Sequence, residues 1–336
     1  MGLYRAELRR LVKRRFVRYL TLAALLVLAT VVVATFLQNQ RVGPTALAQA
    51  ERTAEQEFRA AVEWTEQWQA ECERSHASGS PDLNQFPPDC ADIGLPTRDS
   101  FPAVNYLPIT FIFADEFPAT LYTVTSLLFL VFFAAGASFV GAEWSSGAMM
   151  NLLLWRPQRL RVLFTKLAAL LTGVVAVTVP AVLLWTVAHW MIGALRGSTD
   201  GVTAGHWQSF ALADLRVVVL VVAAAAVGFG LAAIGRHTAL ALGGVLGVLV
   251  LGQSALSFLA EVVDARYPEA WLLPVYWIAW MDSSVKLIDY GACAGAPACV
   301  PPTTELTWVH TGALMAVVVA LVLTVAAWTM RRRDIT

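Results

Sequence analysis

The 336-residue chain carries 24 Lys and Arg against 24 Asp and Glu, with 57% hydrophobic and only 14% charged residues. That composition excludes an ordinary soluble domain and makes membrane the expected solvent, with the lipid bilayer as a partner and no nucleic acid.

Residues 1–18 place Tyr4, Leu8, Leu11, Val12 and Phe16 at helical spacing with Arg5, Arg9, Arg10, Lys13 and Arg14 between them. This pattern predicts a cytoplasmic amphipathic helix lying on an anionic inner leaflet. Spanning about 30 Å of hydrocarbon takes roughly 20 apolar residues. The first stretch of that length is 19–37. The Ala48-Gln49-Ala50 pattern of a signal-peptidase site lies well past its end, so it reads as an uncleaved first span.

An external helical region is expected over 38–117. Leu47, Ala50, Ala54, Phe58, Ala61 and Trp68 recur at threes and fours amid Glu and Gln, which predicts a long helix from about Thr45 to Ser75. Pro81, Pro87, Pro88, Pro96 and Pro102 then make the chain irregular. Further spans follow at 118–141, 163–192, 217–235, 239–260 and 308–330, separated by a loop at 142–162 and an external loop at 193–216. Pro180 interrupts the third span and is expected to kink it. Segment 261–307, with Trp271, Trp277 and Trp280, is too apolar for a free loop and too short to cross, so short helices dipping into the outer leaflet are expected. Residues 331–336 form the tail. The fold class is therefore an all-α integral membrane protein with six spans.

Orientation follows from charge. Arg5 to Arg18 precede the first span, Arg156, Arg159, Arg161 and Lys166 surround the loop at 142–162, and Arg331, Arg332 and Arg333 close the chain; only Glu7, Glu143 and Asp334 oppose them. Positive-inside retention predicts both ends in the cytoplasm. Cys72, Cys90, Cys293 and Cys299 then all fall outside, where an even number reads as disulfides. The simplest pairing is Cys72–Cys90 and Cys293–Cys299, although four cysteines allow three connectivities. Cys72 with His76 as half of a metal site is the alternative, and no metal is expected because no second ligand pair at metal spacing is visible.

Chemistry is sparse. The chain contains no phosphate-binding Gly-x-x-x-x-Gly-Lys loop, no His-Glu-x-x-His and no Gly-x-Ser-x-Gly, so no catalytic residue or cofactor is expected. No Asp, Glu, Lys or Arg falls between the interfaces of the six stretches, which argues against an ion-driven carrier and turns the search for an energy source to a partner.

One loop is distinctive. It reads from Gly141 through Glu143, Gly147, Met149, Met150, Leu152 and Leu153 to Arg156-Pro157-Gln158-Arg159, with Lys166 opening the next span. This resembles the loop of ABC-2 type permeases, the transmembrane subunits of a class of ATP-binding-cassette exporters: an acidic residue, a small glycine, an apolar run, Pro-x-Arg and a Lys. The close match covers some 25 residues. Ala148 stands where many relatives have Thr, and the external region is larger than a minimal permease needs. The resemblance implies a permease with no enzymatic activity of its own. Its partners would be a separate cytoplasmic ATPase, which binds ATP and Mg, and a second permease copy or homologous permease. It implies residence in a bacterial plasma membrane, an inference the Arg-, Ala- and Val-rich composition favours.

Within that reading Glu143, Gly147, Met149, Met150, Leu153, Arg156 and Arg159 form a coupling helix that docks on the ATPase. Glu143 is expected to cap the short helix, to bridge to a neighbouring Arg or the partner, or to do both. Phe129, Phe132 and Phe133, with Gln253, Ser254 and Ser257, are the candidate pathway residues. Gly243 and Gly247 form a close-packing face, for the chain itself or for a second subunit. A membrane sensor or assembly scaffold with an external binding region is the alternative function.

Overall fold

The computed structural model describes residues 2–78, 85–155, 158–289, 291–293 and 299–332, apart from the side chains of Leu153 and Trp155. The chain runs α1 (Gly2–Lys13), α2 (Arg15–Gln38), α3 (Pro44–Ala77), α4 (Phe113–Ser145), α5 (Ala148–Trp155), α6 (Arg159–Arg196), α7 (Ala204–Gly235), α8 (Thr238–Gly247), α9 (Gln253–Val262), α10 (Leu273–Met281), β1 (Ser284–Ile288), β2 (Thr303–Thr307) and α11 (Trp308–Arg332). Six of the helical stretches are long and apolar enough to cross a membrane, with α8, a π turn at Val248–Gly252 and α9 acting as one of them. The protein is a predominantly helical, multi-pass membrane protein.

Two compact units divide the chain. The larger comprises Met1–Val33, Ala114–His189 and Gly201–Thr336. Its core is built from small residues where helices approach. A Cβ on Gly136 would stand 2.3 Å from the carbonyl oxygen of Ala225, and one on Gly228 2.3 Å from that of Phe133, so α4 and α7 meet backbone to backbone. Ala137, Ala232 and Ala241 continue the seam toward α8. With no hydrophobic drive between helices in lipid, such close approach supplies the dispersion contacts that hold spans together.

Helix α7 starts well ahead of the apolar run at Val217. The Thr203 hydroxyl accepts from the His206 backbone N–H, and the His206 ring accepts from the Thr203 N–H. This reciprocal cap starts the helix at Ala204 and brings Asp214 and Arg216 into it, although neither lies in an expected span. At its other end Arg236 takes a left-handed conformation (φ 55°), and the His237 ring caps the Ala239 N–H to open α8. Pro180 lies inside a continuous α6.

The segment after α9 holds more than short helices. Gln253 accepts a 2.7 Å hydrogen bond from the Leu273 N–H at the start of α10. Beyond α10, β1 and β2 form an antiparallel hairpin with Lys286 opposite Glu305, a departure from the all-helical expectation. Arg216 holds its base, bonding the Met281 carbonyl at 3.2 Å and the Ser283 hydroxyl at 2.9 Å, while Trp280 Nε1 donates to the Arg216 carbonyl. Cys293 and Cys299 are bonded beyond β1.

The smaller unit comprises Ala34–Phe113 and Trp190–Asp200. Helix α3 spans the predicted amphipathic stretch and is closed onto the following loop by the Cys72–Cys90 disulfide. Trp64 stacks on Trp68, Trp68 contacts Phe86, and Phe58 meets Phe101 edge-on. Glu55 pairs with both Arg59 and Arg98. The Ser198 N–H donates to the Phe111 carbonyl and its own carbonyl accepts from the Phe113 N–H, while the Gln40 N–H donates to the Ile109 carbonyl, which ties together the ends of the unit.

Candidate functional site

The amphipathic helix α1 turns Tyr4, Glu7 and Leu11 toward the bundle, since residues three and four apart share a face. The Tyr4 hydroxyl donates to Thr172 Oγ1 at 2.9 Å. Leu11 fills the notch left by Gly173, where a Cβ would lie 2.5 Å from its methyl. Arg5, Arg9, Arg10 and Lys13 stay exposed, as do Val12 and Phe16, which the periodicity had assigned to the apolar face.

Glu7 is 1% exposed and Lys166 fully buried. Lys166 Nζ donates to Glu7 Oε2 at 2.7 Å. The same nitrogen lies 2.7 Å from Glu143 Oε2, an ion pair without hydrogen-bond alignment. One ammonium therefore joins α1, the last turns of α4 and the first turns of α6.

Two carboxylates on one ammonium leave an excess negative charge, and the surroundings offset it. Arg10 Nη1 approaches Glu7 Oε1 at 3.4 Å. Arg14 donates to the Ser138 carbonyl at 2.7 Å, and burial pushes its guanidinium below its ordinary value while the Glu143 carboxylate pushes it back up. Lys166 and Arg14 lie 5.2 and 5.8 Å from the centre of the Phe139 ring, which adds cation–π attraction. Coulombic gain is large in such a place, but so is desolvation. The arrangement persists because every charge has a partner.

The loop between α4 and α6 starts from this cluster. Gly141 lies so close to Thr238 that a Cβ would meet its backbone nitrogen at 2.5 Å. Gly147 adopts φ 72° with open space around it, a turn conformation that glycine adopts without strain. On α5, Met149 is fully buried, whereas Met150 is 38% and Leu154 79% exposed. Arg159 reaches the Met330 carbonyl at 3.5 Å. Arg156 lies outside the described residues, as does the side chain of Leu153.

Of the residues expected to act together, Glu143, Gly147, Met149, Met150 and Arg159 thus lie on or beside the loop, and among the described residues Glu143 is paired to Lys166. Glu7 was missed. It is the only acidic residue before Glu51, and it falls on the apolar face of an otherwise basic helix. A lone acid at such a position needs a buried cation, and that signal was available.

The expected pathway residues are dispersed. Phe132 and Phe133 are buried, Phe133 against Gly228 of α7. Phe129 meets the Trp277 ring edge-on at 5.1 Å. Gln253 holds α10, and the Ser254 and Ser257 hydroxyls bond carbonyls of their own helix while remaining exposed. Gly243 and Gly247 have no neighbour within 4 Å of a Cβ position.

Cys72, His76 and Cys90 place their ligand atoms within 4.8 Å of one another. Both sulfurs are bonded to each other here, and the His76 ring lies 3.2 Å from the Pro87 carbonyl.

No protein-family model and no curated protein matches the chain.

Proposed function

We propose that the chain is the transmembrane permease subunit of a type-2 ABC exporter, working with a separate cytoplasmic ATPase and a second permease. One observation carries the reading: Lys166 links α1, α4 and α6 at the root of the loop that bears α5. A push on α5 reaches two spans and the amphipathic helix through charges that cannot separate without leaving a buried ion unpaired. The exposed Met150 and Leu154, four residues apart, offer a partner groove an adaptable apolar ridge. In this reading the chain binds no nucleotide and moves when its partner does.

The test is purification of the full chain from its native membrane under mild conditions, with identification of whatever accompanies it. A stoichiometric protein with a phosphate-binding loop, and ATP hydrolysis that disappears when the chain is purified alone, are the expected results. ATP hydrolysis by the isolated chain, or reconstitution with that ATPase giving no ATP-dependent movement of any hydrophobic substrate, would return the sensor or scaffold reading.

A further inference from the structure

The outer half of the α6–α7 contact holds a carboxylate that the coupling mechanism does not use. Asp214 lies on α7, one turn after Phe210. Its Oδ2 accepts a 2.9 Å hydrogen bond from the Thr186 hydroxyl of α6. Its Oδ1 is shut off from solvent and has no hydrogen-bond partner among the described residues.

The surroundings are apolar or already engaged. Trp185, next to Thr186 on α6, and Phe210, one turn before Asp214 on α7, are buried, and the Phe210 ring lies 4.9 Å from that of the buried Phe117 on α4. On α6, the His189 Nδ1 bonds the Trp185 carbonyl at 2.9 Å. On α7 itself, Arg216 bonds Met281 and Ser283, and His206 bonds Thr203. From α4, Tyr122 bonds Asp282, while Asp115 and Glu116 are exposed in the first turn. The hairpin's Lys286 and His310 of α11 are exposed, the latter bonded to Thr307. Among the described residues no cation pairs with Asp214.

An ionised carboxylate in that half-buried position would have one oxygen shut off from solvent, one hydrogen bond and no counter-charge among the described residues. Such a group neutralises itself, because a proton removes the desolvation cost that no neighbour offsets. An ionisable side chain within a membrane segment is on these grounds a functional group with a definite ligand.

We propose that Asp214 is a proton-binding site, carrying its proton while α6 and α7 are packed together and releasing it when that contact opens to water. The Thr186 hydroxyl is its positioning residue, fixing the carboxyl by donating to Oδ2. The site does not depend on the permease reading: a sensor with the same two helices would bind the proton equally.

Infrared spectroscopy of the full chain in a lipid bilayer tests it directly. At neutral pH ordinary carboxyls are ionised, so a protonated-carboxyl stretching band comes only from a group that retains its proton. The expected result is such a band in the unmodified chain that persists as the pH is raised past the ordinary carboxyl range, absent in Asp214→Asn and shifted to higher frequency in Thr186→Val, which removes the hydrogen bond. Absence of the band in the unmodified chain overturns the proposal, as does a band unchanged in Asp214→Asn. Should Asp214→Asn fail to fold, the Thr186→Val shift assigns the band, and an unshifted band overturns the assignment.

Discussion

Lys166 and Glu7 are 159 positions apart in the chain and 2.7 Å apart in space. The contact makes α1 part of the bundle and not a loose anchor beside it. Removing the ammonium while leaving both carboxylates buried is the costly change. Lys166→Met is expected to destabilise the protein by about 3–5 kcal/mol, whereas Glu7→Gln, Glu143→Gln and Lys166→Met together should recover most of that loss. Thermal unfolding of the purified variants checks this; a triple variant no more stable than Lys166→Met would show that the charges do not act as a unit.

Close helix approach yields a second test. Gly136→Val and Gly228→Val drive a side chain into backbone carbonyls of the neighbouring helix, which cannot rotate away. Each should cost about 1–3 kcal/mol or prevent folding. Among the described residues, a Cβ added at Gly243 or Gly247 meets nothing within 4 Å, so in Gly243→Val and Gly247→Val the monomer should keep its melting temperature. If a second copy packs on that face, the same two variants will lower the fraction of dimer in cross-linking of native membranes.

The disulfides should be found by mass mapping of non-reduced peptides as Cys72–Cys90 and Cys293–Cys299. Chain entropy gives about 3 kcal/mol for the first and about 2 for the second, because the loops differ in length. Cys72→Ala with Cys90→Ala should therefore raise protease cutting after Arg74 and Arg98 more than the other pair alters its own hairpin.

How much of this was legible in the sequence depends on the range of the interaction. The spans, α3 and the paired cysteines follow from local hydrophobicity and spacing, and the structure contains them. The hairpin was missed because Ser284–Ile288 and Thr303–Thr307 are short strands whose partners lie across a Gly-, Ala- and Cys-rich stretch that reads as irregular. The start of α7 was missed because the hydropathy window begins at Val217, whereas the helix is opened by the Thr203–His206 cap. Glu143 and Lys166 were singled out by the loop pattern, but Glu7, the other acid on that ammonium, comes from the far end of the chain. No local rule pairs them.

Acid should loosen one corner of the smaller unit. Hydrogen bonds from Arg98 and then Arg59 hold the Glu55 carboxyl below its ordinary value. A carboxyl lowered in the folded state adds stability above its unfolded value, near pH 4, and loses it as pH falls through the folded one. Hydrogen-exchange protection around Arg98, taken relative to the intrinsic rate at each pH, should therefore fall on acidification below that value. Glu55→Gln should exchange faster at neutral pH and show little further change; an acid response equal to that of the unmodified chain would assign it to another group.

The exposed ridge of α5 gives the last prediction. Met149 is buried within the chain, so charging it would damage the fold and say nothing about a partner. Among the described side chains of α5, Met150 and Leu154 are the exposed large apolar ones. Met150→Asp with Leu154→Asp should leave expression and melting temperature close to unchanged, because both side chains already face outward. Against an apolar groove the new carboxylates would be buried unpaired, at a cost of several kcal/mol unless the interface separates, roughly a thousandfold loss of affinity for about 4 kcal/mol. In the proposed permease, the partner ATPase should then be lost on purification, or hydrolyse ATP without moving substrate. Equivalent charges at Leu47 and Trp64, exposed on α3, are the control and should leave coupling intact. Efflux and ATPase retention measured together decide the matter: normal efflux in the Met150, Leu154 double variant would remove α5 as the docking element. Loss of efflux with the ATPase still bound would keep it and place the defect in transmission through Lys166.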